Sequence, residues 1–109
     1  MDLNEYHELA MRTADPERQS VSRLTNAALG LAGESGEVAD HLKKHIFHGH
    51  ELDRDKLRRE LGDVLWYVCQ AADALGLTLD EVAQHNIAKL RSRYPDGFSF
   101  ERSINREEG

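Results

Sequence analysis

Cysteine, proline and aromatic residues are scarce in this chain, and each shortage removes a class of answer. The only cysteine, Cys69, has no partner for an intramolecular disulfide, so the fold must rest on its own core. It lies in the apolar stretch Leu65–Ala72 with no histidine beside it in sequence, which reads as a small buried core residue and not as a nucleophile. The two prolines, Pro16 and Pro95, sit near the ends and leave the middle free to be helical. No apolar run approaches the roughly 20 residues that span a bilayer, and the acidic start Met1-Asp2-Leu3-Asn4-Glu5-Tyr6 lacks a signal-peptide pattern. A cytoplasmic protein with no membrane partner is expected. Positive charge is also short: the formal net charge is −6, which disfavours nucleic acid as the main partner. A phosphate substrate stays compatible with it, because a bound divalent cation inverts the local field.

The 109 residues suit one domain with a single modest core, and 39% hydrophobic against 31% charged suits helices that each bury one face. Leu3, Tyr6, Leu9 and Ala10 predict a short first helix from Leu3 to Thr13, broken by Asp15-Pro16. The polar stretch 17–22 fits either a loop or the next first turn. From about Ser22 to His45 the stripe Leu24, Ala28, Leu31, Ser35, Val38, Leu42 predicts an amphipathic helix. A turn around Gly49 follows, with Asp53 or Asp55 as cap. The next helix runs to about Leu75, with Leu57, Leu61, Val64, Leu65, Val68, Ala72 and Leu75 expected on its buried face. Gly76 ends it, Thr78 and Glu81 form a capping-box pattern, and a last helix covers Leu79 to about Arg93. Tyr94-Pro95-Asp96-Gly97 stops that helix; in the tail, Phe98 and Phe100 are candidates to fold back on the domain, and the polar end is expected to be mobile. The fold class expected is all-α, a four- to five-helix bundle built on an antiparallel helix hairpin.

Two acidic steps stand out, Glu34-Ser35-Gly36-Glu37 and Glu60-Leu61-Gly62-Asp63. Residues three apart on a helix lie about 60° apart around its axis, so each step points two carboxylates to one side. The short turn between the two helices favours an antiparallel hairpin, in which both pairs converge. Like charges at that range repel unless protonated or bridged by a cation, and hard divalent ions take oxygen ligands. Taken singly, each step more often marks a solvated helix face; together they read as a metal site. Gly30, Gly33 and Gly36 each cost about 1 kcal/mol in a helix relative to alanine, and close approach of a second helix or of a ligand is the expected reason. His41, His45, His48 and His50 at helical and turn spacing suggest zinc, but no cysteine or acidic partner completes a zinc pattern. His41 is alternatively a hydrogen-bond partner of the carboxylates.

Glu34-x-x-Glu37 followed by Glu60-x-x-Asp63 resembles the signature of the MazG-like all-α nucleotide pyrophosphohydrolases, and the segments 31–40, 60–68 and 86–95 resemble small single-domain members in the same order. The resemblance is strongest over 24–98 of a single domain 1–109, with 99–109 as a tail. It implies Mg²⁺-dependent cleavage of a nucleoside triphosphate to the monophosphate and pyrophosphate, with Mn²⁺ as a substitute ion, and a role in cleansing or tuning a nucleotide pool. Glu34, Glu37, Glu60 and Asp63 would be the metal ligands, with Glu37 or Asp63 as general base, without preference between them. Asn86 and Lys89, one turn apart on the last helix, would meet the nucleotide; Lys43, Lys44, Arg91 and Arg93 are further phosphate-binding candidates. Trp66 and Tyr67 are candidates for stacking on a base, Trp66 equally for a subunit interface. An apolar face left over in so small a chain, and the habit of the family, imply a homodimer or homotetramer. A related pyrophosphate compound such as phosphoribosyl-ATP or an alarmone is the alternative substrate, and a non-catalytic helical regulatory module the alternative of a different class.

Overall fold

The computed structural model describes residues 1–16 and 18–106. Their regular structure is helical throughout: α1 Leu3–Met11, α2 Ser20–Phe47, α3 Arg54–Ala74, α4 Leu79–Arg93 and α5 Phe100–Ile104. Two compact units can be told apart, Met1–Leu79 and Asp80–Gly109. No helix among the described residues is long and apolar enough to cross a membrane.

Local chemistry sets the helix ends. Asp2 caps α1 by accepting from the Glu5 amide at 2.8 Å, and Asp53 caps α3 by accepting from the Lys56 amide at 3.0 Å, each satisfying a donor the helix cannot. At the end of α3 the Leu77 amide bonds to the Ala72 carbonyl at 2.9 Å and Gly76 to Asp73 at 3.0 Å. That is the Schellman pattern, and it requires the left-handed φ of 73° that Gly76 supplies. α2 begins at Ser20, so the polar stretch is partly its first turn; Glu17 lies outside the described residues.

α2 and α3 form the expected antiparallel hairpin. As α2 advances, its partners on α3 recede: Asn26 accepts from Gln70 Nε2 at 2.9 Å, Gly30 lies under the Tyr67 ring, and near the turn His41 Nε2 accepts from the Asp53 amide at 3.0 Å. α1 lies across α3. Ala10, Cys69 and Leu79 form the buried centre there, with Tyr6, Met11, Trp66 and Val68 packed around them. Cys69 is fully buried, as a core residue should be, and burial pushes its thiol up, with the Asp73 charge adding to it against Arg23.

The buried face differs from the apolar stripe. Ala27, His41, Glu60 and Gln70 are buried along the hairpin, whereas Leu61 is 58% exposed, Leu75 59% and Leu42 40%. Ala28 and Ser35 are exposed, and Leu65 is covered only in part. The helices approach along small and polar side chains, which permits a close seam, and a rotation of one helical position turns these leucines outward. The glycine expectation also needs correcting. A Cβ on Gly30 would collide with the Tyr67 ring, but Gly33 and Gly36 have nothing within 4 Å of where a Cβ would stand. Close packing therefore accounts for Gly30 alone.

In the second unit, Tyr94 meets Phe98 tilted, at a centroid distance of 5.5 Å, and Phe98 meets Phe100 edge to face at 5.3 Å. Gly97 makes the turn at φ 89°, and Ser99 caps α5 by accepting from the Arg102 amide at 3.0 Å. The tail thus folds back onto the end of α4 through its aromatics and adds a helix that periodicity did not predict. The polar end, 107–109, lies outside the described residues.

Candidate metal and nucleotide site

The hairpin register brings both acidic steps to one place. Glu60 is buried, at 6% exposure, Glu34 is half-buried, and Glu37 and Asp63 are exposed. Burial raises the Glu34 carboxyl above its ordinary range, and the charges of Glu37, Asp63 and Glu60 raise it further. The other three carboxylates therefore all act on Glu34. Glu34 Oε2 and Glu60 Oε2 are each buried without a hydrogen-bond partner. A buried carboxylate oxygen without a donor is costly, and one such oxygen on each of two neighbouring helices is a cost that a hard cation would offset. The donor set, all carboxylate oxygen, fits a hard divalent ion and not zinc. Among the described residues, no three His, Cys, Asp or Glu side chains already stand in an arrangement that could hold a metal ion. An ion here would have to draw the exposed Glu37 and Asp63 toward the buried pair.

Glu34 and Asp63 also line a cavity of about 370 Å³ whose other wall is Trp66 and Tyr67. The two rings meet edge to face, 5.1 Å apart at 89°. Trp66 is anchored from behind, its indole N–H donating to Thr13 Oγ1 at 2.8 Å and to the Ala10 carbonyl at 3.2 Å. Tyr67 is fixed against Gly30. Acid and aromatic walls thus face one space on a rigid hairpin. The anchoring of Trp66 by α1 and the seat of Tyr67 on Gly30 escaped the sequence reading; a glycine one turn before the first acid was the only available signal.

The remaining candidates fall in separate places. Lys43 and Lys44 pair with Asp40 at 3.3 and 3.0 Å, and these bonds, Lys44 before Lys43, hold the Asp40 carboxyl below its usual range. Asn86, Lys89 and Arg93 share one face of α4, at three- and four-residue spacing; Asn86 is exposed and Lys89 half-buried. The histidines serve the hairpin turn. His41 is committed through Nε2 to the Asp53 amide, and His45 Nδ1 lies 2.7 Å from the His50 carbonyl. His41 thus holds the start of α3, which is the hydrogen bond the structure shows for it.

An all-α chain whose helix hairpin gathers carboxylates beside an aromatic-walled cavity defines a class of acidic-site helical proteins. Within that class, residues 22–98 match the MazG nucleotide pyrophosphohydrolase domain, and the chain belongs to that family. It is also 42% identical over 82 residues to the Gene 37 protein of Mycobacterium phage L5, an alignment covering 72% of each chain. No solved structure matches.

Proposed function

We propose that this chain is a Mg²⁺-dependent nucleoside triphosphate pyrophosphohydrolase that converts a nucleoside or deoxynucleoside triphosphate and water to the monophosphate and pyrophosphate. The observation that carries the reading is the pair of orphaned buried oxygens, Glu34 Oε2 and Glu60 Oε2, next to a cavity with a carboxylate wall and an aromatic wall. Family membership supports the reaction class.

Glu34 and Glu60, which carry the orphaned oxygens, and the exposed Glu37 and Asp63 would hold the ion. When bound, Mg²⁺ (or Mn²⁺) neutralises the phosphate oxygens, on which charge builds as the anhydride breaks. Asp63 or Glu37, the two acids reached by solvent, orients the attacking water and accepts its proton. Trp66 and Tyr67 offer the base a flat face, since an aromatic ring stacks on any base without reading its edge. Asn86, Lys89 and Arg93 on α4 are the candidates for sugar and phosphate that the family resemblance supplies, and Lys43 and Lys44, each paired with Asp40, are weaker ones.

Leu29, Ile46, Phe47 and Leu61 leave large apolar side chains in water, at 71, 67, 73 and 58% exposure, and a homodimer or homotetramer would cover such surface. Sedimentation at micromolar concentration should show the assembly, and a monomer would exclude it. The cytoplasm, where nucleoside triphosphates are found, is the compartment that suits this reaction.

Incubation with Mg²⁺ and a panel of canonical and modified nucleotides, phosphoribosyl-ATP and an alarmone tests the reading. Monophosphate and pyrophosphate as first products are expected. Orthophosphate as first product, or no turnover of any compound, would exclude it.

A further inference from the structure

We propose that Thr13, just after α1, is a positioning residue for nucleotide recognition: its hydroxyl fixes the indole of Trp66, so that this wall of the cavity grips a base by ring face and not by edge. This role rests on the reading of the cavity as the nucleotide site. Thr13 lies before the family match, which starts at residue 22, so the match itself assigns it no part in that site. An indole N–H can only donate, and that of Trp66 donates to Thr13 Oγ1 at 2.8 Å and to the Ala10 carbonyl at 3.2 Å. The hydroxyl's own proton goes to the Ala10 carbonyl at 2.6 Å. Both acceptors stand at the C-terminal end of α1, where carbonyls lack intrahelical donors, and the three groups close on one another.

The indole has one polar group, and it is used up on the α1 side. Trp66 therefore keeps no donor with which to read the edge of a base, and what it offers a ligand is the area of its ring. A purine, with two fused rings, covers more of that area than a pyrimidine, while adenine and guanine cover it alike. The ring also has little freedom to swing. Beyond the bond to Thr13, it packs against the buried cluster of Ala10, Cys69 and Leu79, and it meets Tyr67, seated over Gly30, edge to face at 5.1 Å. Asp63 stands one turn earlier on α3, so fixing the indole also fixes its place relative to a candidate metal ligand. A ring ordered before the ligand arrives spares the cost of ordering it on binding.

Thr13→Val keeps the shape and removes the hydroxyl, Thr13→Ser keeps the hydroxyl, and Thr13 is exposed, so neither change disturbs the core. Trp66 is the only tryptophan, and its fluorescence reports the anchor with no nucleotide present. Its anisotropy decay should gain a fast component in Thr13→Val that the wild type and Thr13→Ser lack; identical decays in all three overturn the anchor. With Mg²⁺ and a purine nucleoside triphosphate, Thr13→Val should raise KM about three- to tenfold at unchanged kcat, the scale of one lost hydrogen bond. The factor should be the same for adenine and guanine and smaller for a pyrimidine, and Thr13→Ser should restore the wild-type KM. An unchanged KM, or a rise as large for the pyrimidine, overturns the proposal. On a Trp66→Phe background, which has no N–H to hold, Thr13→Val should have no further effect; a rise of the same size there makes Thr13 a structural residue of the α1 end and overturns the role given to it. A wild type that turns over no nucleotide removes the reading of the cavity and this role with it, whereas turnover with a KM indifferent to Thr13 removes this role alone.

Discussion

At one end of the hairpin unit Asp73 is met by His7 at 2.8 Å and by Arg23 at 2.7 Å, while further along the same helix seam Glu34 and Glu60 each keep a buried oxygen with no partner. The first cluster is a clasp. His7 Nδ1 accepts from the Leu79 amide at 3.0 Å, so Nε2 carries the proton given to Asp73, and α1, α2, α3 and the start of α4 are tied at one point. Only Arg23 Nε is left over there, a donor beside an ion pair already made. The second cluster gathers charge of one sign and leaves acceptors empty. Polar burial that closes on itself serves the fold, and polar burial left open toward a cavity is poised for a ligand.

Neutralising an acid should therefore have opposite effects at the two places, and this is the largest contrast expected. Asp63→Asn or Glu37→Gln should lower turnover about a thousandfold, the scale of a lost acid–base group, with an unchanged helical spectrum. Full activity in either variant would break the assignment. Glu60→Gln should also abolish turnover, yet raise the thermal midpoint of the metal-free protein by roughly 4 °C, because one buried like charge is removed. Mg²⁺ should stabilise the wild type and leave Glu60→Gln unmoved. Asp73→Asn should do the reverse, costing about 1–2 kcal/mol after allowance for solvent screening and leaving turnover within a few-fold wherever the chain stays folded.

Glycine substitutions sharpen the comparison along the seam. Alanine in a helix interior normally gains about 1 kcal/mol over glycine, and Gly33→Ala should show that gain, since a Cβ there meets nothing within 4 Å. Gly30→Ala should instead lose about 1–3 kcal/mol, because the Tyr67 ring must move, and nucleotide affinity should fall with it as the aromatic wall shifts. Denaturant unfolding and a binding titration measure both. Equal stability of the two variants would show that the seat of Tyr67 on Gly30 does not shape the cavity.

How much of this was legible in the residues depends on how local the chemistry is. Asp53, Gly76 and the Thr78 pattern act on their own neighbours, and the helix ends came out within two residues of where those signals put them. That Glu37, Glu60 and Asp63 lie near enough to act on Glu34 was legible from spacing and a short turn. Burial did not follow in the same way. Pattern reading takes leucine as inside and glutamate as outside, yet Glu60 and Gln70 lie in the seam and Leu61 faces water, since which stripe is covered depends on the partner helix and its register. The orphaned oxygens and the Trp66 anchor on Thr13 are products of side-chain packing between distant segments, which no periodicity encodes. α5 was missed because five residues hold too little pattern, although Ser99 is an ordinary cap.

The smallest expected effect lies in the pH dependence, where the two clusters pull in opposite directions. Burial alone would raise Asp73, but the hydrogen bonds from His7 and Arg23 and their charges together hold it below the ordinary aspartate value. A carboxyl lowered on folding contributes stability that is present above its unfolded value and lost as pH falls through its folded value. Glu34 is raised, by burial first and then by its acidic neighbours. Its contribution is present below the unfolded value and lost as pH rises through the folded one. In the metal-free chain, Asp73→Asn should flatten the loss of stability on the acid side, and Glu34→Gln should flatten the decline on the way up from the carboxylate range toward neutrality. With Mg²⁺ present the second slope should shrink in the wild type as well, because the ion favours the charged form of Glu34. Thermal unfolding across that range, with and without Mg²⁺, measures all of these slopes. A Glu34 slope indifferent to Mg²⁺ would detach the orphaned oxygens from the ion and leave them a cost without a ligand.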